Sequence, residues 1–344
     1  MKSLKSELES LAAEQENGKK NLKTLEQKLT GKRTKWIPGS TKHRITNFIL
    51  KGDEETAKKW TGLSFTGRKS LWDFLGPAKY ELRMWKRDGD VISGKMKSMS
   101  VLDQFLMTLL ILRKDWLYKE VATVFDLDEQ IVSTTFKTWL QFMYLKFKEF
   151  TPKEDIDKSE LPKCFQTKEF RNVRVVIDCT EIFIESSKNY QQQSNTFSSY
   201  KHHTTVKVLI GCHPRGAAVF CSPVFEGGIS DKQAVLESGF MDFIQPGYGI
   251  MADRGFQNLK EEFMDKGAHL IVPPSMAGKN FLDLSDEFKT RSIASARIHI
   301  ERFNQRMKIF QFVSGTVPQS KLNLLPQAVY VCCFLANYSP NLVE

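Results

Sequence analysis

Three acidic residues stand where a carboxylate can do more than solvate a surface. Val173-Arg174-Val175-Val176-Ile177 is a β-rich run that ends on Asp178, and Gly249-Ile250-Met251-Ala252 is a second run that ends on Asp253. Each run predicts a strand whose last residue delivers a carboxylate at the edge of a sheet. Glu301 falls on a long helix predicted over 285–312. It sits one step off a core stripe of Ile293, Ala296, Ile300, Phe303, Met307 and Phe310, with Arg297, Asn304 and Lys308 at i−4, i+3 and i+7. Glu301 is therefore expected at the border of buried and open surface, among donors able to hold a phosphate backbone. Two strand-end Asp and a helical Glu can converge on hard divalent cations, which take oxygen ligands. Two such cations about 3.5–4 Å apart stabilise the attacking and leaving oxygens of an in-line phosphoryl displacement. Like charges this close predict raised carboxyl pKa values when the cations are away. Plainer readings stay open: a strand-end Asp can cap the next turn, and a helical Glu can face water. Asp231, in Gly228-Ile229-Ser230-Asp231-Lys232, is either a further acid of the cluster or the cap of the helix after it.

A second group of residues suggests contact with bases. The apolar spacing predicts helices over 101–113, 117–125 and 129–147, the third with Asp128 as cap. Two short helices and a tight turn before a longer helix match a helix-turn-helix at about 98–147. Gln130, Ser133, Thr134 and Lys137, on the polar face near the start of the third helix, are placed to reach base edges. The net charge of residues 101–150 is −1, too little for this unit to grip phosphates alone, and a plain helical pair is the alternative.

The elements that must carry these side chains follow from the rest of the chain. The 344 residues hold 50 Lys+Arg against 40 Asp+Glu, and 41% hydrophobic residues, a composition that excludes a mostly disordered chain. No run approaches the roughly 18 apolar residues of a membrane span, and the N-terminus lacks a secretory layout. The six Cys (164, 179, 212, 221, 332 and 333) include no C-x-x-C, which argues against both a zinc finger and a disulfide framework. Residues 1–150 carry a net +9, residues 151–344 a net +1, and the densest basic stretch, 28–44, holds six Lys/Arg and no acid. Such asymmetry points to a polyanion, nucleic acid first, with a solvated linker or nuclear-import segment as the alternative. Leu4, Leu8, Leu11, Leu22, Leu25 and Leu29 form one heptad stripe over 1–30, predicting a short coiled coil and a homodimer. Gln15 and Gly18 interrupt it, so a lone helix is the other reading. Residues 31–44 read as a basic linker, 45–150 as helical apart from a loop over 88–100, and 151–172 as irregular. Beyond that, strands are expected over 204–212, 217–225 and 269–272, and helices over 231–244, 257–266 and 322–336, giving a mixed α/β order.

Taken in order, these motifs resemble the Harbinger-type DDE transposase superfamily. The resemblance rests on Val175-Val176-Ile177-Asp178-Cys179-Thr180-Glu181, Ser199-Tyr200-Lys201-His202-His203-Thr204-Thr205-Val206-Lys207, Gly227-Gly228-Ile229-Ser230-Asp231-Lys232, Ala252-Asp253-Arg254-Gly255-Phe256 and Arg297-Ile298-His299-Ile300-Glu301-Arg302. It covers about 171–343, and Trp60-Thr61-Gly62-Leu63 with the 98–147 helices resemble the region that precedes the core in such proteins. The resemblance implies an α/β ribonuclease-H-like catalytic core (171–343), preceded by an all-α helix-turn-helix region and a short N-terminal coiled coil. It implies that Asp178, Asp253 and Glu301 are catalytic and hold Mg²⁺ or Mn²⁺. The 47 residues between Asp253 and Glu301 suit that family. Relatives often open with a THAP-type zinc finger. No Cys/His cluster stands at the start of this sequence, so DNA recognition by such a module is expected to be either absent or lost from this gene model.

The expectation is a nuclear, transposon-derived DDE endonuclease that cuts DNA phosphodiesters with two metal ions and frees a 3′-OH able to join target DNA. Its partners are DNA, a second copy through residues 1–30, and a helper DNA-binding protein, with no membrane. The rival is a domesticated nuclear DNA-binding or adaptor protein whose core no longer cuts. A third reading is a scaffold that dimerises through residues 1–30.

Overall fold

A long strand organises the molecule. β3 (Val173–Phe183) alternates buried and part-buried residues and lies at the centre of a seven-stranded mixed sheet. β5 (His203–Cys212) runs antiparallel along it, in register from Val176↔Cys212 to Phe183↔Thr205. Three short strands share the far edge of β5: β4 (Phe197–Ser198), β6 (Ala218–Cys221) and β7 (Phe225–Glu226). On the other side of β3, β8 (Gly249–Met251) joins in parallel and β9 (His269–Ile271) joins β8 in parallel. Parallel neighbours need crossovers. α8 (Asp231–Glu237) and α9 (Phe240–Phe243) precede β8, and a 3₁₀ turn (Arg254–Leu259) with α10 (Lys260–Asp265) links β8 to β9. Those helices bury Val235, Phe240, Phe256 and Phe263 against Val175, Ile177, Leu209 and Ile250 on one sheet face. Residues 176 and 178 point the other way, toward α11 (Leu284–Met307).

The structure is a computed structural model that describes residues 44–85, 91–92, 99–149, 161–187, 189–274 and 283–339. The predicted coiled coil and the linker up to residue 43 lie outside these. Arg44, read as linker, already opens α1 (Arg44–Lys51). α2 (Glu54–Thr61) starts where Asp53 accepts from the Thr56 amide at 2.7 Å, and stops at Gly62, whose φ of 78° suits a residue without a Cβ. α3 (Phe65–Phe74) is capped by Ser64. β1 (Met84–Trp85) and β2 (Val91–Ile92) pair antiparallel, so part of the expected 88–100 loop is a strand. α4 (Val101–Lys114), α5 (Tyr118–Phe125) and α6 (Glu129–Lys148) fall where the apolar spacing puts helices. Asp128 occupies the cap position of α6 but makes no capping hydrogen bond. α4 is buried almost all round, and Trp139 of α6 donates to Gln104 Oε1 at 3.0 Å. α7 (Tyr190–Thr196) and α12 (Leu325–Leu335) complete the helices.

α12 packs against both α6 and β6. Lys321 pairs with Asp115 at 2.6 Å, Arg113 donates to the Ile309 carbonyl, and Phe136 and Phe312 lie 5.6 Å apart. The described residues all fall in one compact unit. The six cysteines are free thiols. Among the described residues no helix is long and apolar enough to cross a membrane.

Several expectations need correction. β3 does not end at Asp178: Cys179, Thr180, Glu181, Ile182 and Phe183 all find partners on β5, so the strand continues and Asp178 sits within it. The strand expected over 217–225 splits into β6 and β7, and the helix over 231–244 breaks at Gly239. The helix over 257–266 opens as a 3₁₀ turn at Arg254. α11 stops at Met307, not 312, because Phe310 and Phe312 turn away into the helical region, Phe310 against Gly62 and Phe312 against Phe136.

Candidate active site

β3 presents Asp178 to α11, with its side chain largely buried. β8 runs parallel to β3 and its pairing ends with Val176 opposite Met251; Asp253, two residues beyond the strand, is near enough for its charge to raise the Asp178 carboxyl. The predicted neighbourhood of these two acids thus follows from the pairing of β3 with β8. α11 supplies the rest. Arg297, Glu301, Asn304 and Lys308 lie at spacings of four, three and four and share one side of the helix. The adjoining side is the expected core stripe, with Ile293, Ala296, Ile300, Phe303 and Met307 fully buried. Asp283 caps α11 by accepting from the Asp286 amide at 2.7 Å.

The polar stripe touches the sheet at three points. Arg297 Nη1 lies 3.2 Å from Asp253 Oδ1. Asn304 Nδ2 donates to Asp178 Oδ2 at 2.9 Å. Lys308 Nζ donates to the Glu181 carbonyl at 3.3 Å. Residues read from sequence as phosphate holders are therefore also neighbours of the acids. Glu301 is exposed, further into solvent than the border position expected of it. Asp253 also accepts from the Arg254 amide at 2.7 Å, at the start of the 3₁₀ turn, as the capping reading expects.

Burial pushes the Asp178 carboxyl up to about 6. Arg297 opposes that shift, and Asp253, Asp231 and Glu301 add to it. The rise expected from like charges is present at Asp178, but loss of water is its main cause. Burial also lowers the Lys308 ammonium, and the nearby Lys201 charge lowers it further.

Asp231 is not a helix cap. Ser230 caps α8 by accepting from the Gln233 amide at 3.1 Å, and Asp231 instead pairs with Lys207 at 3.0 Å. Lys207 is buried on β5 and also donates to the Ile229 carbonyl at 2.7 Å. This pair was not foreseen, although Lys207 alternates with apolar neighbours on a buried strand, where a cation needs an anion. Thr205, which donates to Glu181 Oε2 at 2.8 Å, was missed as well.

Among the described residues, no group of three or more His, Cys, Asp or Glu is gathered closely enough to hold a metal ion. The Arg297 guanidinium sits against Asp253 instead. The donor chemistry nonetheless suits a hard cation. The acids offer only oxygen, and Asn304 Oδ1 is a buried carbonyl oxygen with no hydrogen-bond donor, beside Asp178. In the helical region, Gln130 is exposed, while Ser133, Thr134 and Lys137 are half-buried on α6.

Residues 177–337 match the model of the family described as DDE superfamily endonuclease. The match begins one residue before Asp178 and includes Asp231, Asp253 and Glu301. It supports a DDE transposase-type family and a transposase-like nuclease for this segment, on a mixed α/β core compatible with such an enzyme, whose superfamily generally uses divalent metals and acts on DNA. Comparisons with curated proteins and with solved structures returned no match.

Proposed function

We propose that this chain is a Harbinger-type, transposon-derived DDE endonuclease, acting in the nucleus, with Asp178, Asp253 and Glu301 as its catalytic acids. The observation that carries the reading is the convergence of Asp178, Asp253 and the polar stripe of α11 within the segment that matches the endonuclease family. The sheet adds support: a three-strand antiparallel meander continued in parallel by two crossover strands suits a ribonuclease-H-like core. Asp178, Asp253 and Glu301, with the free Asn304 carbonyl, would hold Mg²⁺ or Mn²⁺. When bound, such cations supply the positive charge that stabilises the attacking and leaving oxygens of a phosphodiester displacement. The chain's own residues prepare that charge balance. Burial raises the Asp178 carboxyl to about 6, so a cation that reached it would offset the cost of the buried charge. Arg297 offsets the charge of Asp253 through Oδ1, and its guanidinium stands beside the site, where it could meet a phosphate oxygen.

The test is nicking of supercoiled plasmid with Mg²⁺, Mn²⁺ or EDTA. Wild type is expected to nick only with the metals, and Asp178→Ala and Asp253→Asn to lose at least a hundredfold in rate while still binding DNA. Equal nicking by wild type and Asp253→Asn would remove the assignment. The Arg297–Asp253 pair also favours a second reading, a DNA-binding or adaptor protein whose core is closed to metal. That reading expects salt-sensitive DNA binding with no metal-dependent nicking. For the helix-turn-helix, Gln130→Ala with Lys137→Ala is expected to alter sequence preference.

A further inference from the structure

The turn between β4 and β5, residues 199–202, carries an aromatic side chain that the acid site does not use. Tyr200 is 80% exposed, although paired strands flank its turn on both sides. The Lys201 ammonium lies 4.7 Å from the centre of the Tyr200 ring. With that much of the ring open, one face holds the cation and the other meets solvent. The turn is held in place. The Lys201 amide donates to Oγ of the buried Ser198 at 3.2 Å, His202 takes a left-handed conformation at φ 52°, and His203 packs edge-on to Phe183 at 5.0 Å.

This turn is continuous with the acid site. Lys201 is near enough to Lys308 to depress its ammonium, and Lys308 reaches the Glu181 carbonyl and senses the Asp178 charge. The cations therefore follow one line: Arg297 at Asp253, Lys308 beyond Asp178, then Lys201 under Tyr200. From Arg297 to Lys308 the helix rises about 16 Å, the length of about five nucleotides of one duplex strand. Lys201 and Lys308 bring two positive charges near one another, partly offset at Lys308 by Asp178 and Glu181, and an exposed ring beside them gives a base a surface to stack on.

We propose that Tyr200, Lys201 and Lys308 form the site for unpaired DNA next to the phosphate to be cut. Tyr200 stacks on an unstacked base, and Lys201 and Lys308 hold the backbone on either side of it. The proposal deepens the endonuclease reading and rests on it for the identity of the nucleic acid. Such a contact favours DNA whose bases are already out of the helix over intact duplex.

The test measures binding of a fluorescein-labelled oligonucleotide by anisotropy in EDTA, single-stranded and as its duplex, using the full chain. Tyr200→Ala is expected to weaken single-strand binding about tenfold and to leave duplex binding nearly unchanged. Tyr200→Phe keeps the ring and should retain wild-type affinity. Lys201→Ala should reduce the salt slope by about one charge on both DNAs. Unchanged single-strand affinity in Tyr200→Ala, an equal loss on both DNAs, or failure of Tyr200→Phe to bind like wild type would each overturn the proposal. The readout involves no cleavage, so the two readings fail separately. A chain that nicks plasmid but binds without Tyr200 refutes the stacking site alone. A chain that stacks through Tyr200 but never nicks refutes the nuclease alone.

Discussion

Asp178 is costly to the fold as it stands. Its carboxyl titrates at about 6 in the folded protein against an ordinary 3.8, so the folded state binds the proton more tightly than the unfolded chain does. A raised pKa contributes stability that is fully present below the unfolded value and is lost as pH rises through the folded one. The loss is largest above about pH 7, on the order of 3 kcal/mol for a shift of this size. Asp178→Asn keeps the shape and can still accept from Asn304. It is expected to stabilise the protein by about 2 kcal/mol near pH 8 in EDTA, and by much less near pH 4. Urea unfolding at the two pH values checks this, and an equal change at both would refute it. The residue that abolishes cutting when replaced would then be one whose replacement strengthens the fold. The sequence anticipates a raised carboxyl from clustered like charges, but not the burial that is its main cause. Asp178 was picked out because it closes an apolar run, but its burial depends on α11, which lies far along the chain.

At the scale of elements, the sequence was most informative where one helix or strand carries its own pattern. The core stripe of α11 was legible residue by residue, because a period of 3.6 sorts one helix into faces without outside help. Its end was not. Phe310 and Phe312 continue the apolar pattern, yet they serve contacts with the helical region, which no local period can announce. β3 was cut short for the converse reason. Asp178, Cys179, Thr180 and Glu181 look like an exit from a strand, and only the ladder to β5 keeps them in it. The pairings of Arg297 with Asp253 and of Lys207 with Asp231 likewise join segments distant in sequence. The two faces of α11 make opposite predictions for adjacent residues. Ile300→Ala should cost about 2–5 kcal/mol in urea unfolding, because Ile300 is fully buried. Glu301→Ala, exposed on the other face, should change stability by under about 0.5 kcal/mol and abolish metal-dependent nicking. A comparable loss of stability in both variants would contradict this division of the helix.

At the scale of the whole molecule, the helical region and the sheet are joined by part-buried polar contacts and by helix packing. Lys321 to Asp115, Arg113 to Ile309, and α12 wedged between α6 and β6 cross from one to the other. Two parts joined this way are expected to unfold together. Tryptophan fluorescence, which reports mainly on the helical region through Trp60, Trp72, Trp116 and Trp139, and far-ultraviolet circular dichroism should give coincident urea transitions. Two separated transitions would show that the junction is weak. The order of elements was legible in the sequence here, but the junction was not, since Asp115 and Lys321 carry no local signature.

The position of α12 also bears on how the protein is made. Both surfaces it covers, on α6 and on β6, are translated before it, α6 by about ten to thirty seconds at ordinary elongation rates. Until Leu325–Leu335 leaves the ribosome, the nascent chain lacks the helix that packs on both α6 and β6. A message broken before that point would yield a polypeptide with bare apolar surface, suited to degradation by quality-control proteases. A late-made keystone helix thus ties closure of the core to translation past residue 335.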